Sequence, residues 1–188
     1  KIADRPGGED VLTTTGEYFL GDNGVKVFPI KTKNSRDIYE DANFDGVFQK
    51  GNFLENNLTI TGGSGKTTNF FSIGNLTQKG IVRNSDYNRF TMRFNNQTYF
   101  NDIINLTTKA NYIATGSNRI QQNSNTAGLY LGLLRTPPDF NNEPYVGTHF
   151  TAAGVASPGR QRSYRRYLGN NINPTYNNPL WTTNEQEA

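Results

Sequence analysis

Few residues in this chain carry the chemistry of catalysis or metal binding, and each lacks the partners it would need. His149 is the single histidine, so no multi-histidine metal site can form, and its spacing offers no serine or cysteine nucleophile. Cysteine is absent, which excludes thiol nucleophiles, disulfides and Cys-ligated zinc. Asp37, Glu40 and Asp41 supply oxygen donors, but their spacing lacks the Asp/Asn positions, glycine and terminal Glu of an EF-hand loop, and they read as a solvated acidic turn. Gly65-Lys66-Thr67 resembles the end of a phosphate-binding loop. That loop needs a glycine at position 60, where Ile60 stands, and a helix afterwards. The following Thr68-Asn69-Phe70-Phe71-Ser72-Ile73 is β-branched and aromatic instead, so 63–67 reads as a hairpin turn. Arg160, Arg162, Arg165 and Arg166, interleaved with Tyr164 and Tyr167, could grip phosphate, yet no wider basic field supports them. They read as a solvated or partner-facing loop, and nucleic acid is not an expected partner. No catalytic residue, cofactor or metal site is expected.

The elements that must position whatever function exists show themselves through composition and periodicity. Hydrophobic residues make up 34 % of the 188, while aromatics reach 12 %, with 12 Phe and 10 Tyr. Low apolar content with many aromatics suits strands whose two faces meet different surroundings, as in a membrane barrel edged by aromatic girdles. The charge balance, 19 basic against 16 acidic residues, decides little. No apolar run approaches the ~20 residues of a membrane-crossing helix, whereas a barrel strand needs only ~9–11. Lys1-Ile2-Ala3-Asp4-Arg5-Pro6 lacks the apolar stretch of a signal peptide.

Three segments follow. Residues 1–52 are rich in turn formers, with weak strands near 11–20 and 24–30 and a helical turn near 37–41. Residues 53–115 alternate with period two over 56–62, 68–77, 87–95 and 103–114, the mark of four antiparallel strands. Residues 116–188 are polar and contain Gly and Pro, and read as a long loop region. Within the strands, Leu58, Ile60, Phe71, Ile73, Phe90, Met92, Phe94, Leu106 and Tyr112 fall on one face. Asn57, Thr59, Thr61, Arg89, Thr91, Arg93, Asn105, Thr107, Lys109 and Asn111 fall on the other. The connections at 63–67 and 96–102 look short and those at 78–87 and 115–180 long, the order expected of periplasmic turns and external loops. The fold expected is all-β: antiparallel strands forming part of a large transmembrane β-barrel with long extracellular loops.

Several runs, in order, resemble one family. Phe48-Gln49-Lys50-Gly51 and Asn56-Asn57-Leu58-Thr59-Ile60-Thr61-Gly62-Gly63-Ser64-Gly65-Lys66-Thr67 lead into the aromatic strand at Phe70-Phe71. Gly80-Ile81-Val82-Arg83-Asn84-Ser85-Asp86-Tyr87-Asn88-Arg89 and Tyr176-Asn177-Asn178-Pro179-Leu180-Trp181 follow. Together they are similar to the SusC/RagA family of TonB-linked outer-membrane proteins, most closely over 44–115. The resemblance implies a plugged barrel in a Gram-negative outer membrane, importing glycans or peptides. A SusD-like surface lipoprotein and the TonB complex would be its partners, the latter acting through the plug region. No plug, TonB box or aromatic-ended terminal strand is recognisable, so a partial chain is expected, with roughly four to six of ~22 strands. The alternative is a soluble, secreted, carbohydrate-binding β-sandwich, which requires the apolar faces to close into a core within this chain. A glycoside hydrolase would need a carboxylate pair flanking a cleft, and no spacing suggests one.

Overall fold

The computed structural model describes residues 7–121, 124–170 and 176–185. Lys1–Pro6, weighed above as a signal peptide, lies outside them. In chain order the elements are β1 (Val11–Leu12), β2 (Tyr18–Gly21), β3 (Lys26–Val27), β4 (Ile30–Thr32), α1 (Glu40–Val47), β5 (Asn52–Ser64), β6 (Thr67–Lys79), β7 (Asp86–Tyr99), β8 (Asn105–Asn118), α2 (Leu129–Arg135), β9 (Val146–Phe150), β10 (Ala156–Gln161) and α3 (Pro179–Asn184). The protein is predominantly β, every strand pairing among the described residues is antiparallel, and no sheet closes into a barrel. No described helix is long and apolar enough to cross a membrane, which leaves strands unaddressed.

The chain divides into two compact units, Gln49–Arg119 and the combination of Lys1–Phe48 with Ile120–Ala188. The first is a single four-stranded meander, β5-β6-β7-β8. Its strands extend the alternating stretches at both ends, and its pairing runs without a register break. Gly65 and Lys66 form the tight turn expected at 63–67, with Ser64 paired to Thr67. The other two connections, 80–85 and 100–104, are nearly equal in length, so the expected contrast of short and long is absent between them. Asn96, Gln97 and Thr98 stay in β7 because their backbone pairs with β6 on one side and β8 on the other. Asn96 Nδ2 donates to Asn69 Oδ1 (2.7 Å) and Thr67 Oγ1 donates to Thr98 Oγ1 (3.5 Å), both between β6 and β7.

The second unit joins the two segments expected to be loop-rich. The terminal segments do not remain loops, because each supplies what the other lacks. β2 pairs with β9 in a sheet ordered β10-β9-β2-β3. Tyr18 and Phe150, directly opposite across that pairing, stack with centroids 4.7 Å apart. Phe19, on the other side of β2, is fully buried. Gly147 permits the close approach, since a side chain there would meet the Leu20 carbonyl. Val47, Leu129, Leu133 and Leu180 are buried on the three helices. Gly46 lies against Leu180 and Gly132 against Pro179, so α1 and α2 both pack on α3.

Asp10 ties the start of this unit together. Its carboxylate accepts from Lys33 Nζ (2.8 Å), Asn34 N (2.7 Å) and Ser35 N (2.8 Å). Burial opposes the charge, but the Lys33 ammonium and the two amides prevail, lowering the pKa from 3.8 to about 2. A carboxylate depressed in the folded state stabilises fully above its unfolded pKa and loses that stabilisation as pH falls through the folded value. This contribution, at most about 2 kcal/mol, is therefore expected to vanish between about pH 4 and pH 2. Denaturant midpoints across that window should fall in the native chain and fall markedly less in Asp10→Asn.

Candidate functional site

Strand residues alternate between faces and directly paired residues share one, so the register of β5–β8 sorts every side chain. Leu58, Ile73, Met92 and Tyr112 form one row, and Ile60, Phe71, Phe94 and Ala110 the next on the same side. Phe90 and Leu106 stand on that side too. All nine residues assigned to the apolar face thus share it. The face is open: Leu58, Ile60 and Tyr112 remain 55 %, 56 % and 55 % exposed. Its apolar centre is flanked by rows of Asn, Thr and Gly, and its charged residues, Lys79 and Asp86, pair with each other in the end row.

The ten residues assigned to the polar face also share one. Asn57 and Thr91 flank Gly74; Thr59, Ser72, Arg93 and Asn111 form a row; Thr61, Phe70, Asn95 and Lys109 form the next. Arg89 lies two residues along β7 from Thr91, Thr107 two along β8 from Lys109, and Asn105 pairs with Tyr99 at the far end. Gly74 lets its two neighbours close over it, since a Cβ there would lie 2.5 Å from Asn57 Oδ1 and 2.8 Å from Thr91 Oγ1. Arg89 reaches over Leu76 of the intervening strand to Glu55 (3.6 Å). Both partners are well exposed, so the pair contributes ~0–1 kcal/mol.

Arg93 and Lys109 form no ion pair among the described residues. With Asn95 and Asn111 they line an open depression of about 300 Å³ whose floor includes Ala110. Two uncompensated cations beside two carboxamides, held on paired strands, form a surface that can bind polar or anionic groups.

The remaining candidate residues belong to the other unit. His149 is buried and its Nε2 lies 3.3 Å from Glu17 Oε2, with Ser157 opposite it across the β9–β10 pairing. Among the described residues no group of three or more His, Asp or Glu side chains is placed to hold a metal ion. Asp37 precedes α1, and Glu40 and Asp41 open it, where negative charge favours the helix N-terminus. The basic run is split by its folding. Arg165 is exposed, but Arg162 is buried and its guanidinium donates to three carbonyls, those of Pro144 (2.9 Å), Asn141 (2.6 Å) and Glu143 (2.6 Å). Burial lowers its pKa to about 10, so it remains charged near neutrality. Arg162 is thus an internal strut, a role hidden by its membership of a basic run.

Asn178 was equally hidden. Its side chain caps α3 by accepting from Leu180 N (2.8 Å) and donates to the carbonyls of Asn142 (2.9 Å) and Arg162. The Asn178-Pro179 pair carries the signal for the cap, an N-cap residue followed by Pro in the first turn.

No known protein family matches the chain, and no curated protein matches it.

Proposed function

We propose that β5–β8 is a length of wall from an outer-membrane β-barrel, belonging to a TonB-linked importer like those of the SusC/RagA family. In this reading the chain transports and does not catalyse. Leu58, Ile60, Phe71, Ile73, Phe90, Met92, Phe94, Leu106 and Tyr112 face lipid. Asn57, Thr59, Thr61, Arg89, Thr91, Arg93, Asn105, Thr107, Lys109 and Asn111 face the lumen and its glycan or peptide cargo. A SusD-like lipoprotein and the TonB complex are the partners.

One observation carries the reading: a sheet with opposite faces of opposite polarity is left open at both long edges. Among the described residues β5 pairs only with β6 and β8 only with β7. A long unpaired edge promotes aggregation in water and is not tolerated in lipid, and a barrel removes it by adding strands on both sides. The strand lengths, 13 to 14 residues, exceed the ~9–11 that a tilted barrel strand needs. Between the row of Leu54 and the row of Ser64 the proposed lipid face carries no charged residue. The soluble sandwich needs a core closed over Met92 and its neighbours, and the four-stranded unit by itself leaves that face open.

Because the chain has no cysteine, single labels can be placed without background. Probes at Met92→Cys and Arg93→Cys in the membrane-assembled protein are expected to behave oppositely. The first should be quenched by nitroxide on lipid chains and the second by aqueous iodide. Equal iodide quenching at both positions would sink the proposal.

A further inference from the structure

On the unit built from the two terminal segments, four side chains form a cation–aromatic stack. Arg135, in the last turn of α2, places its guanidinium carbon 5.0 Å from the Tyr176 ring centroid, and Arg165 places its own at 4.7 Å. Tyr164 stacks on Tyr176 with centroids 6.2 Å apart and lies 5.7 Å from the Arg165 guanidinium. Arg135 is held further by donating to the carbonyl of Asn125 (2.8 Å) and to its Oδ1 (2.9 Å).

Neither guanidinium forms an ion pair among the described residues. The shortage is general here, because residues 144–184 contain four arginines and no Asp or Glu. Two cations on one ring lie within about 10 Å of each other, about one Debye length in dilute salt, so they repel unless an anion joins them. Asn125 takes the Nη1–Nη2 edge of Arg135, leaving its Nε edge, while the Arg165 Nε donates to Tyr164 Oη (3.4 Å), leaving its Nη1–Nη2 edge; an edge of either kind can bind a carboxylate bidentately.

We propose that Arg135 and Arg165, stacked on Tyr176, clamp a ligand that presents two carboxylates: a free di- or tricarboxylate, or neighbouring acidic side chains of a peptide. The rings favour a ligand read by charge over a neutral sugar, because Tyr176 is already packed by two guanidiniums and a second ring. Acidic side chains two residues apart on an extended chain stand ~6.6–6.8 Å apart, within the reach of both arginines. The clamp does not depend on where the sheet resides.

The test is calorimetric titration of the full chain with citrate, acetate and oligoglutamate. Citrate or oligoglutamate should bind saturably and acetate far more weakly; tighter citrate assigns a free ligand, tighter oligoglutamate a peptide. Arg165 is exposed, so Arg165→Ala should fold normally and lose about tenfold in affinity. Arg165→Lys keeps the charge but not the planar fork, and should lose nearly as much. Tyr176→Leu keeps both charges but frees them from the ring, and should also weaken binding. The proposal is overturned if the native chain binds neither probe saturably, if Arg165→Lys or Tyr176→Leu binds like the native chain, or if Arg160→Ala, outside the stack, weakens binding as much as Arg165→Ala.

Discussion

On the proposal that β5–β8 is barrel wall, Met92→Arg is expected to block assembly in the outer membrane, while Thr91→Arg, one residue away, assembles normally. Met92 occupies the central apolar row with Leu58, Ile73 and Tyr112, so its replacement would hold a guanidinium near mid-bilayer. That costs ~2–4 kcal/mol on a barrel's lipid face, a large part of a stability of ~5–15 kcal/mol. The same substitution at Thr91 projects into the polar face, where Arg89 and Arg93 already stand two residues away on either side. Heat-modifiable migration and protease resistance of the membrane fraction measure the outcome. The comparison isolates the face, because strand, depth and new side chain are nearly the same. Similar tolerance at both positions would mean that neither side meets hydrocarbon.

The sheet was legible in the sequence because a strand's two environments repeat every second residue. Nineteen assignments, from Asn57 to Tyr112, needed only that alternation, and the register carries each to its expected side. Where one strand ends and a turn begins was less legible. Asn96 and Thr98 resemble turn formers in isolation, and only their hydrogen bonds across the sheet explain why the strand continues. The terminal segments were hardest to read. Their strands, such as Lys26–Val27, are too short to display a period. What stabilises them comes from far along the chain, as when Tyr18 meets Phe150 or Asn43 Oδ1 accepts from Asn142 N. No local pattern encodes contacts at that separation. The two candidate surfaces differ in the same way: Arg93 and Lys109 follow from alternation, whereas Arg135 meets Tyr176 only after the terminal segment has folded.

Arg162→Met is expected to unfold or nearly unfold the unit built from the terminal segments, leaving the paired strands β5–β8 intact. The native guanidinium satisfies three carbonyls and lies 4.8 Å from the Phe140 ring centroid. Methionine fills part of the volume but donates nothing, and each buried carbonyl deprived of its donor costs ~1–3 kcal/mol. Lysine restores a charge and point donors without the fork, so Arg162→Lys should fall between. Asn178 offers a sharper distinction. If its only task were capping α3, Asn178→Asp would be nearly neutral, because Asp and Asn cap equally well. Its amide nitrogen, however, also serves the carbonyls of Asn142 and Arg162. Asp would point a charged oxygen at those acceptors and should destabilise by several kcal/mol, more than Asn178→Ala. Trp181, the single tryptophan, lies in α3 three residues beyond this position and reports on that unit alone. Urea titrations followed by its fluorescence should therefore rank the native chain above Asn178→Ala, and Asn178→Ala above Asn178→Asp. An Asp variant as stable as the native chain would reduce Asn178 to a helix cap.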